Sequence, residues 1–147
     1  MKRDDSFEGL LEYGLRLVSR SELTCSQLKR KLIARGASCQ VSERVCRELK
    51  ESGYIDDRRY CELFIATHEE YGFNRMKMEL LKRGIERGLV ETMVGFEQED
   101  EVGKALAMIR RWGPDLEIKK TWGRLARRGF SHHVIREALR RTCGEAS

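Results

Sequence analysis

Apolar residues recur along the chain at three- and four-residue intervals, in stretches punctuated by glycine, serine and threonine. That pattern predicts a succession of short amphipathic helices. A first helix is expected from about Phe7 to Ser19, with Leu10, Leu11, Leu15, Leu17 and Val18 as its apolar stripe. Thr24 is placed to cap a second, which carries Leu28, Leu32 and Ile33 and should stop at Gly36. A capping side-chain oxygen accepts a free N–H of the first turn, and glycine can end a helix in the left-handed region without a Cβ clash. Ser38 then opens a third through Val41, Val45, Cys46 and Leu49, ending near Gly53. The next helix runs through Tyr60, Leu63, Phe64 and Thr67 to Glu70 and breaks at Tyr71-Gly72. Two more follow, one through Met76, Leu80 and Leu81 to Gly84 and one presenting Leu89, Met93 and Val94. Of the last three, the first carries Val102, Ala105, Leu106 and Ile109 and is ended by Trp112-Gly113-Pro114-Asp115. The second passes Leu125 and Ala126 to Gly129, and the third, capped by Ser131, bears Val134, Ile135, Ala138 and Leu139.

The same phrase closes the middle helix of each trio: Leu32-Ile33-Ala34-Arg35-Gly36-Ala37, Leu80-Leu81-Lys82-Arg83-Gly84-Ile85 and Leu125-Ala126-Arg127-Arg128-Gly129-Phe130. The glycines stand 48 and 45 residues apart, a period long enough for one small multi-helix unit. Counting from them aligns Leu28, Met76 and Thr121; Leu32, Leu80 and Leu125; Ile33, Leu81 and Ala126; Val41, Leu89 and Val134; and Val45, Met93 and Ala138. All but Thr121 are apolar, so these positions are expected to be core. The reading is an all-α protein, an elongated array of three tandem three-helix repeats over residues 6–54, 55–98 and 99–143, in one continuous body. Met76, Met78 and Met93 read as packing residues.

Composition narrows the class. Charged residues make up 36%, apolar ones 40%, and there is one proline, which favours a soluble helical protein over a sandwich or a disordered chain. No run approaches the roughly 20 apolar residues of a membrane span, and the charged start Met1-Lys2-Arg3-Asp4-Asp5 lacks the apolar core of a signal peptide. A cytoplasmic protein is expected. Cysteines at 25, 39, 46, 61 and 143 form no Cys-x-x-Cys pair and read as reduced thiols. His132, His133 and Cys143 lack zinc spacing, and no glycine-rich phosphate loop ending in Lys-Ser/Thr is present. No metal, cofactor or enzymatic activity is expected.

Charge is unevenly spread. Residues 1–100 carry 18 Lys/Arg against 19 Asp/Glu, whereas residues 101–147 carry 11 against 5. A basic final third suggests an anionic partner. Arginine precedes each repeat glycine, at Arg35, Arg83 and Arg128. A cation in the last turn interacts with the helix C-terminus for about 0.5 kcal/mol, but the positives thicken along the chain: Lys31 with Arg35, Lys82 with Arg83, then Arg124, Arg127 and Arg128 together. Only the later copies look like a binding surface. Asp56 and Asp57 could hold Mg²⁺ or act as acid and base, yet Asp at the head of a helical run most often caps it.

The segment Gly53-Tyr54-Ile55-Asp56-Asp57, the aromatic helix after it, the Tyr71-Gly72-Phe73 turn and the basic helix ending Lys82-Arg83-Gly84-Ile85 resemble the hallmark of the bacterial RecX family. Ser19-Arg20-Ser21-Glu22 leading into Gln27-Leu28-Lys29-Arg30-Lys31-Leu32 is similar to that family's opening, and Leu125 to Phe130 to its close; together the likeness spans residues 8–142. It implies tandem three-helix repeats in a curved helical body. It also implies a regulator, usually an inhibitor, of the RecA recombinase in DNA repair, homologous recombination and the SOS response. Such a regulator binds in the groove of the RecA filament on single-stranded DNA and suppresses strand exchange, ATP hydrolysis and co-protease action.

Arg75, Lys77, Lys82 and Arg83 match the family's basic second helix and, with Arg124, Arg127 and Arg128, are the expected contacts to RecA or DNA. Gly36, Tyr54, Asp56, Asp57, Tyr71, Gly72, Gly84 and Gly129 are expected to be structural. The chain departs from the family at His68-Glu69-Glu70, where basic residues are common, and at Asn74, where proline is common; no contact is carried over to those positions. RecA or DNA as the main contact, filament capping or groove coating, and inhibition or context-dependent activation all remain compatible. A monomer is expected, since no coiled-coil seam is present. The alternative reading is a direct, largely sequence-independent binder of single- or double-stranded DNA using helix-turn-helix-like repeats. A hydrolase or nuclease built on Asp56 and Asp57 is the third.

Overall fold

The computed structural model describes residues 6–145, so the charged start Met1–Asp5 lies outside the described residues. Among them are nine α-helices and no strand: α1 (Phe7–Arg20), α2 (Cys25–Arg35), α3 (Cys39–Glu51), α4 (Asp57–Thr67), α5 (Phe73–Lys82), α6 (Arg87–Met93), α7 (Gln98–Trp112), α8 (Ile118–Arg127) and α9 (His132–Glu145). None is long and apolar enough to cross a membrane.

The helix starts are set by the side chains that the sequence offers. Thr24 Oγ1 accepts from Gln27 N at 3.0 Å while Gln27 Oε1 accepts from Thr24 N at 3.0 Å, a reciprocal box that satisfies two otherwise orphan N–H groups. Ser38 caps α3 at Val41 N and Ser131 caps α9 at Val134 N. Asp56 Oδ1 accepts from the backbone N–H of Arg58 and Arg59 at 3.0 and 3.1 Å, so this carboxylate is a helix cap.

The ends of α2, α5 and α8 share one geometry. Gly36, Gly84 and Gly129 have φ of 118°, 84° and 92°. Each following residue reaches back five positions, Ala37 N to Leu32 O, Ile85 N to Leu80 O and Phe130 N to Leu125 O. This is the Schellman turn, in which an apolar residue after the glycine packs on the last helical turn. Leu32, Leu80 and Leu125 are wholly buried, and Ala37, Ile85 and Phe130 nearly so. The repeated phrase in the sequence is therefore a turn that writes an apolar residue into the core on both sides of a glycine.

The chain divides into two compact units, one comprising residues through Leu63 with Leu80–Leu89, the other Phe64–Glu79 with the residues from Val90 onward. In the first, α1, α2 and α3 pack pairwise around Leu10, Leu28, Leu32, Ala37, Val45, Cys46, Leu49 and Ile55. In the second, α9 packs on α7 and α8 around Val102, Ala105, Leu106, Ile109, Leu125, Phe130, Val134, Ile135 and Ala138.

Four expectations need correction. Ile33 is 46% exposed and Ala126 is exposed, because each stands one residue, about 100° of helix, beyond the buried i, i+4 line that includes Leu32 or Leu125. Met78 is 49% exposed, so it is not a packing residue. Thr121, the polar member of the aligned core positions, is buried as expected of them; its hydroxyl donates to Glu117 O at 3.1 Å and so keeps no unmet hydrogen bond. Finally, α4 stops at Thr67 rather than Glu70. His68 Nδ1 lies 2.8 Å from the Phe64 carbonyl, where the next backbone N–H would sit, and the His68 ring stacks on Phe64 with centroids 3.9 Å apart.

Candidate partner-binding surface

In the second unit the start of α5 meets the turn between α8 and α9. Gly72 N donates to Arg128 O at 2.6 Å, Asn74 N to Gly129 O at 3.2 Å, and Phe73 N to the Glu101 carboxylate at 2.6 Å. Helix N-terminal N–H groups thus meet helix C-terminal carbonyls and a buried anion, each favoured by the helix dipoles. Contact is close enough to demand glycine: a Cβ on Gly72 would stand 2.7 Å from Phe130 N and 2.8 Å from Gly129 C, and one on Gly129 would overlap Arg75 N and Cβ. Lys104 completes the joint, donating to Tyr71 O at 3.1 Å and lying 3.7 Å from Glu101.

This joint fixes the basic residues. Arg75 Nη1 donates to Arg127 O at 3.2 Å, and its guanidinium carbon lies 4.3 Å from the Tyr71 ring centroid. Arg124 and Arg128 both approach the Trp112 ring, at 5.3 and 5.2 Å, within cation–π range. Arg124 and Arg127 are exposed, Arg75 and Arg128 half-buried. Lys77, half-buried, sits one helical turn from Phe73 with Nζ 5.9 Å from its ring. The structure thus joins Arg75 to the Arg127–Gly129 turn, gathers Arg124 and Arg128 on Trp112, and leaves Lys77 beside Phe73.

Lys82 and Arg83 belong to the first unit. Lys82 is exposed. Arg83 is half-buried, its Nε donating to Tyr60 OH at 3.1 Å and its carbonyl accepting from Thr24 Oγ1 at 2.7 Å. Here too the glycine is pressed close, since a Cβ on Gly84 would overlap Ser26. Asp57 Oδ1 accepts from Cys25 N at 2.9 Å, tying the head of α4 to the head of α2. Arg59 spans the Gly53-Tyr54 turn, donating to both carbonyls and to Glu22; the Tyr54 ring itself is exposed. Asp56 and Asp57 therefore cap and tie helices.

Three contributors went unnoticed in the sequence. Trp112 reads in the sequence only as part of a helix stop, although it carries two arginines; the contact joins residues 12 and 16 positions apart and has no local signature. Glu101 was one member of an acidic run, yet it is 5% exposed; its place four residues before the core Ala105 was the available clue. Lys104 follows from Glu101 at i+3.

No protein-family model matches the chain. Among curated proteins it is 34% identical to the regulatory protein RecX of Thermus thermophilus over 131 residues, covering 88% of this chain and 89% of that protein. It is 30% identical to the regulatory protein RecX of Deinococcus radiodurans over 146 residues, covering 94% and 70%. Among solved structures, that of RecX from Lactobacillus salivarius superposes with a TM-score of 0.78 at 20% identity, covering 94% of this chain and 96% of the other.

Proposed function

This chain belongs to the RecX family of regulatory proteins, and we propose from that membership that it binds the RecA filament on single-stranded DNA and inhibits or modulates its recombinase, ATPase and co-protease activities. It does so as a cytoplasmic monomer and by binding alone, with no reaction of its own. The observation that carries the reading beyond the family name is the group of arginines on α8. Arg124 and Arg127 are exposed, and Trp112 and the α5 joint hold the group in place. Arg75 and Lys77 extend this surface, and Lys82 and Arg83 supply the corresponding positives at the end of α5.

The same proposal takes the chain as three tandem three-helix repeats, residues 6–54, 55–98 and 99–143. Recurrence in the bonding supports it. Thr24 and Gly72 each stand twelve residues before a repeat glycine, and each bonds the carbonyl of the arginine that precedes the next one, Arg83 in the first case and Arg128 in the second.

The test adds purified protein to preformed RecA filaments and follows ATP hydrolysis and filament length at two salt concentrations. Charge reversal at Arg124, Arg127 and Arg128 should abolish inhibition. Reversal of the exposed pair Arg124 and Arg127 alone should weaken it without touching the half-buried Arg128. Unchanged ATPase inhibition by the triple variant refutes this surface.

The Trp112–arginine group also favours a second reading, direct DNA binding, because an aromatic ring beside guanidinium groups suits stacking on bases and contact to phosphates. The binding would be sequence-independent: α3, α6 and α9 open with Cys39-Gln40, Arg87-Gly88 and His132-His133, which is no consistent set of base readers. If three arginines contact phosphates, the triple variant should flatten the slope of log affinity on log salt by about 2 on single strands.

A further inference from the structure

Two of the five cysteines face each other in the first unit. Cys25 is the first residue of α2 and half-buried; Cys46 lies in α3 and is 3% exposed. Both line a cavity of about 270 Å³ with Lys29, Glu43, Arg47 and Lys50. Cys46 Sγ donates to the Cys25 carbonyl at 3.8 Å, which holds its side chain against the head of α2.

The two sulfurs are not equivalent. The hydrogen bond from Cys46 holds the Cys25 thiol down at about 7, with Lys50 and Lys29 acting in the same direction and burial and Asp57 opposing. Its place in the first turn of α2 adds the helix dipole, which favours a thiolate. The bond to Cys25, burial and the Glu43 carboxylate push Cys46 up, so it stays a thiol and keeps donating. Cys61 is also pushed up, by burial first and then by Asp57 and Glu62. Cys39 and Cys143 are exposed, and neither lines the cavity that Cys25 and Cys46 share.

We propose that Cys25 and Cys46 form a peroxide-reactive dithiol site in which Cys25 is the attacking sulfur and Cys46 the resolving one. The Cys25 thiolate attacks one oxygen of a hydroperoxide, the O–O bond breaks, and the other oxygen leaves as hydroxide or alkoxide. Cys25 is thereby oxidised by two electrons to a sulfenic acid, and the peroxide is reduced. The Cys46 sulfur then attacks Cys25 sulfur, its proton leaves with the sulfenic oxygen as water, and a disulfide joins α2 to α3.

The experiment uses the full reduced chain. With one equivalent of hydrogen peroxide, non-reducing tryptic mapping should show the peptide of residues 21–29 linked to that of residues 45–47 before Cys39 or Cys143 is oxidised. Alkylation of Cys25 by iodoacetamide should titrate with a midpoint near 7. In C46S the hydroxyl still donates, so the low midpoint should persist while a sulfenic acid trappable by dimedone accumulates. In C46A the donor is gone and the midpoint should rise toward the ordinary value of about 8.5. Faster oxidation of Cys39 or Cys143, or a wild-type Cys25 midpoint above about 8, the ordinary range for a thiol, overturns the proposal. The wild-type mapping decides the matter even if a Cys46 variant does not fold.

Discussion

Replacing Glu101 by alanine should destabilise the second unit by about 3 kcal/mol, since a part-buried N–H loses a charged acceptor. The carboxylate is 5% exposed and accepts from Phe73 N at 2.6 Å. A hydrogen bond to a charged group contributes about 1.5–3 kcal/mol, and an orphaned buried donor adds about 1 more. Interaction with the N-terminal dipole of α5 contributes a further few tenths. The Lys104 pair, at 3.7 Å with its lysine 37% exposed, adds under about 1 kcal/mol because water screens it. Glutamine keeps the acceptor and loses only the charge, so Glu101→Gln should cost about 1 kcal/mol. Both tryptophans, Trp112 and Trp122, pack against the second unit's core, so their fluorescence reports on that unit during urea unfolding. At a slope of about 2 kcal/mol per molar urea, the alanine variant's midpoint should fall by about 1.5 M. A loss below about 0.5 kcal/mol, the ordinary range for an unimportant site, or equal losses for alanine and glutamine, would refute the account of Glu101 as the acceptor for α5.

Two glycines of similar φ separate conformation from crowding: Gly53→Ala, where nothing lies within 4 Å of a Cβ at φ +82°, should cost about 1 kcal/mol. Gly129→Ala at φ +92°, where the Cβ would overlap Arg75, should cost well over twice that, read as the difference in thermal midpoint. Thr24→Ala should cost about 1–2 kcal/mol through lost capping and the lost bond to Arg83 O, with Thr24→Ser restoring most of it in the same urea assay. Hydrogen bonds from Arg140 and then Arg141 hold the Glu137 carboxyl down at about 2. Its contribution to stability should be fully present above the ordinary carboxylate value of about 4.3 and be lost as pH falls toward 2. Thermal midpoints of wild type and Glu137→Gln should therefore converge at low pH, and a gap that persists at pH 2 would refute the pairing.

Helices and their caps were legible because they are local: Thr24, Ser38, Asp56 and Ser131 each act on an N–H two or three residues away. The phrase ending in Arg-Gly and an apolar residue was legible for the same reason, being a turn closed within six residues. What escaped depends on partners distant in sequence. Glu101 reads as one of several solvated acids until Phe73 N is placed over it, and Trp112 as a helix stop until α8 brings two arginines to its ring. Ile33 misleads because apolar character alone does not carry helical phase, and the end of α4 because a histidine side chain competes with the backbone for a carbonyl. At the candidate surface the charges were visible in the sequence, whereas the joint that orients Arg75 against the Arg127 carbonyl was not.

The joint of α5 with the α8–α9 turn consists largely of peptide groups, Gly72 N to Arg128 O and Asn74 N to Gly129 O. Every amino acid except proline carries the same donor, and all carry the same acceptor. Such a seam asks for little beyond two residues small enough to let backbones touch, so nearby side chains can change in evolution without a matching change across the contact. Pairwise covariation should be faint there, and the surface charges can be retuned for a new partner while the helices keep their places.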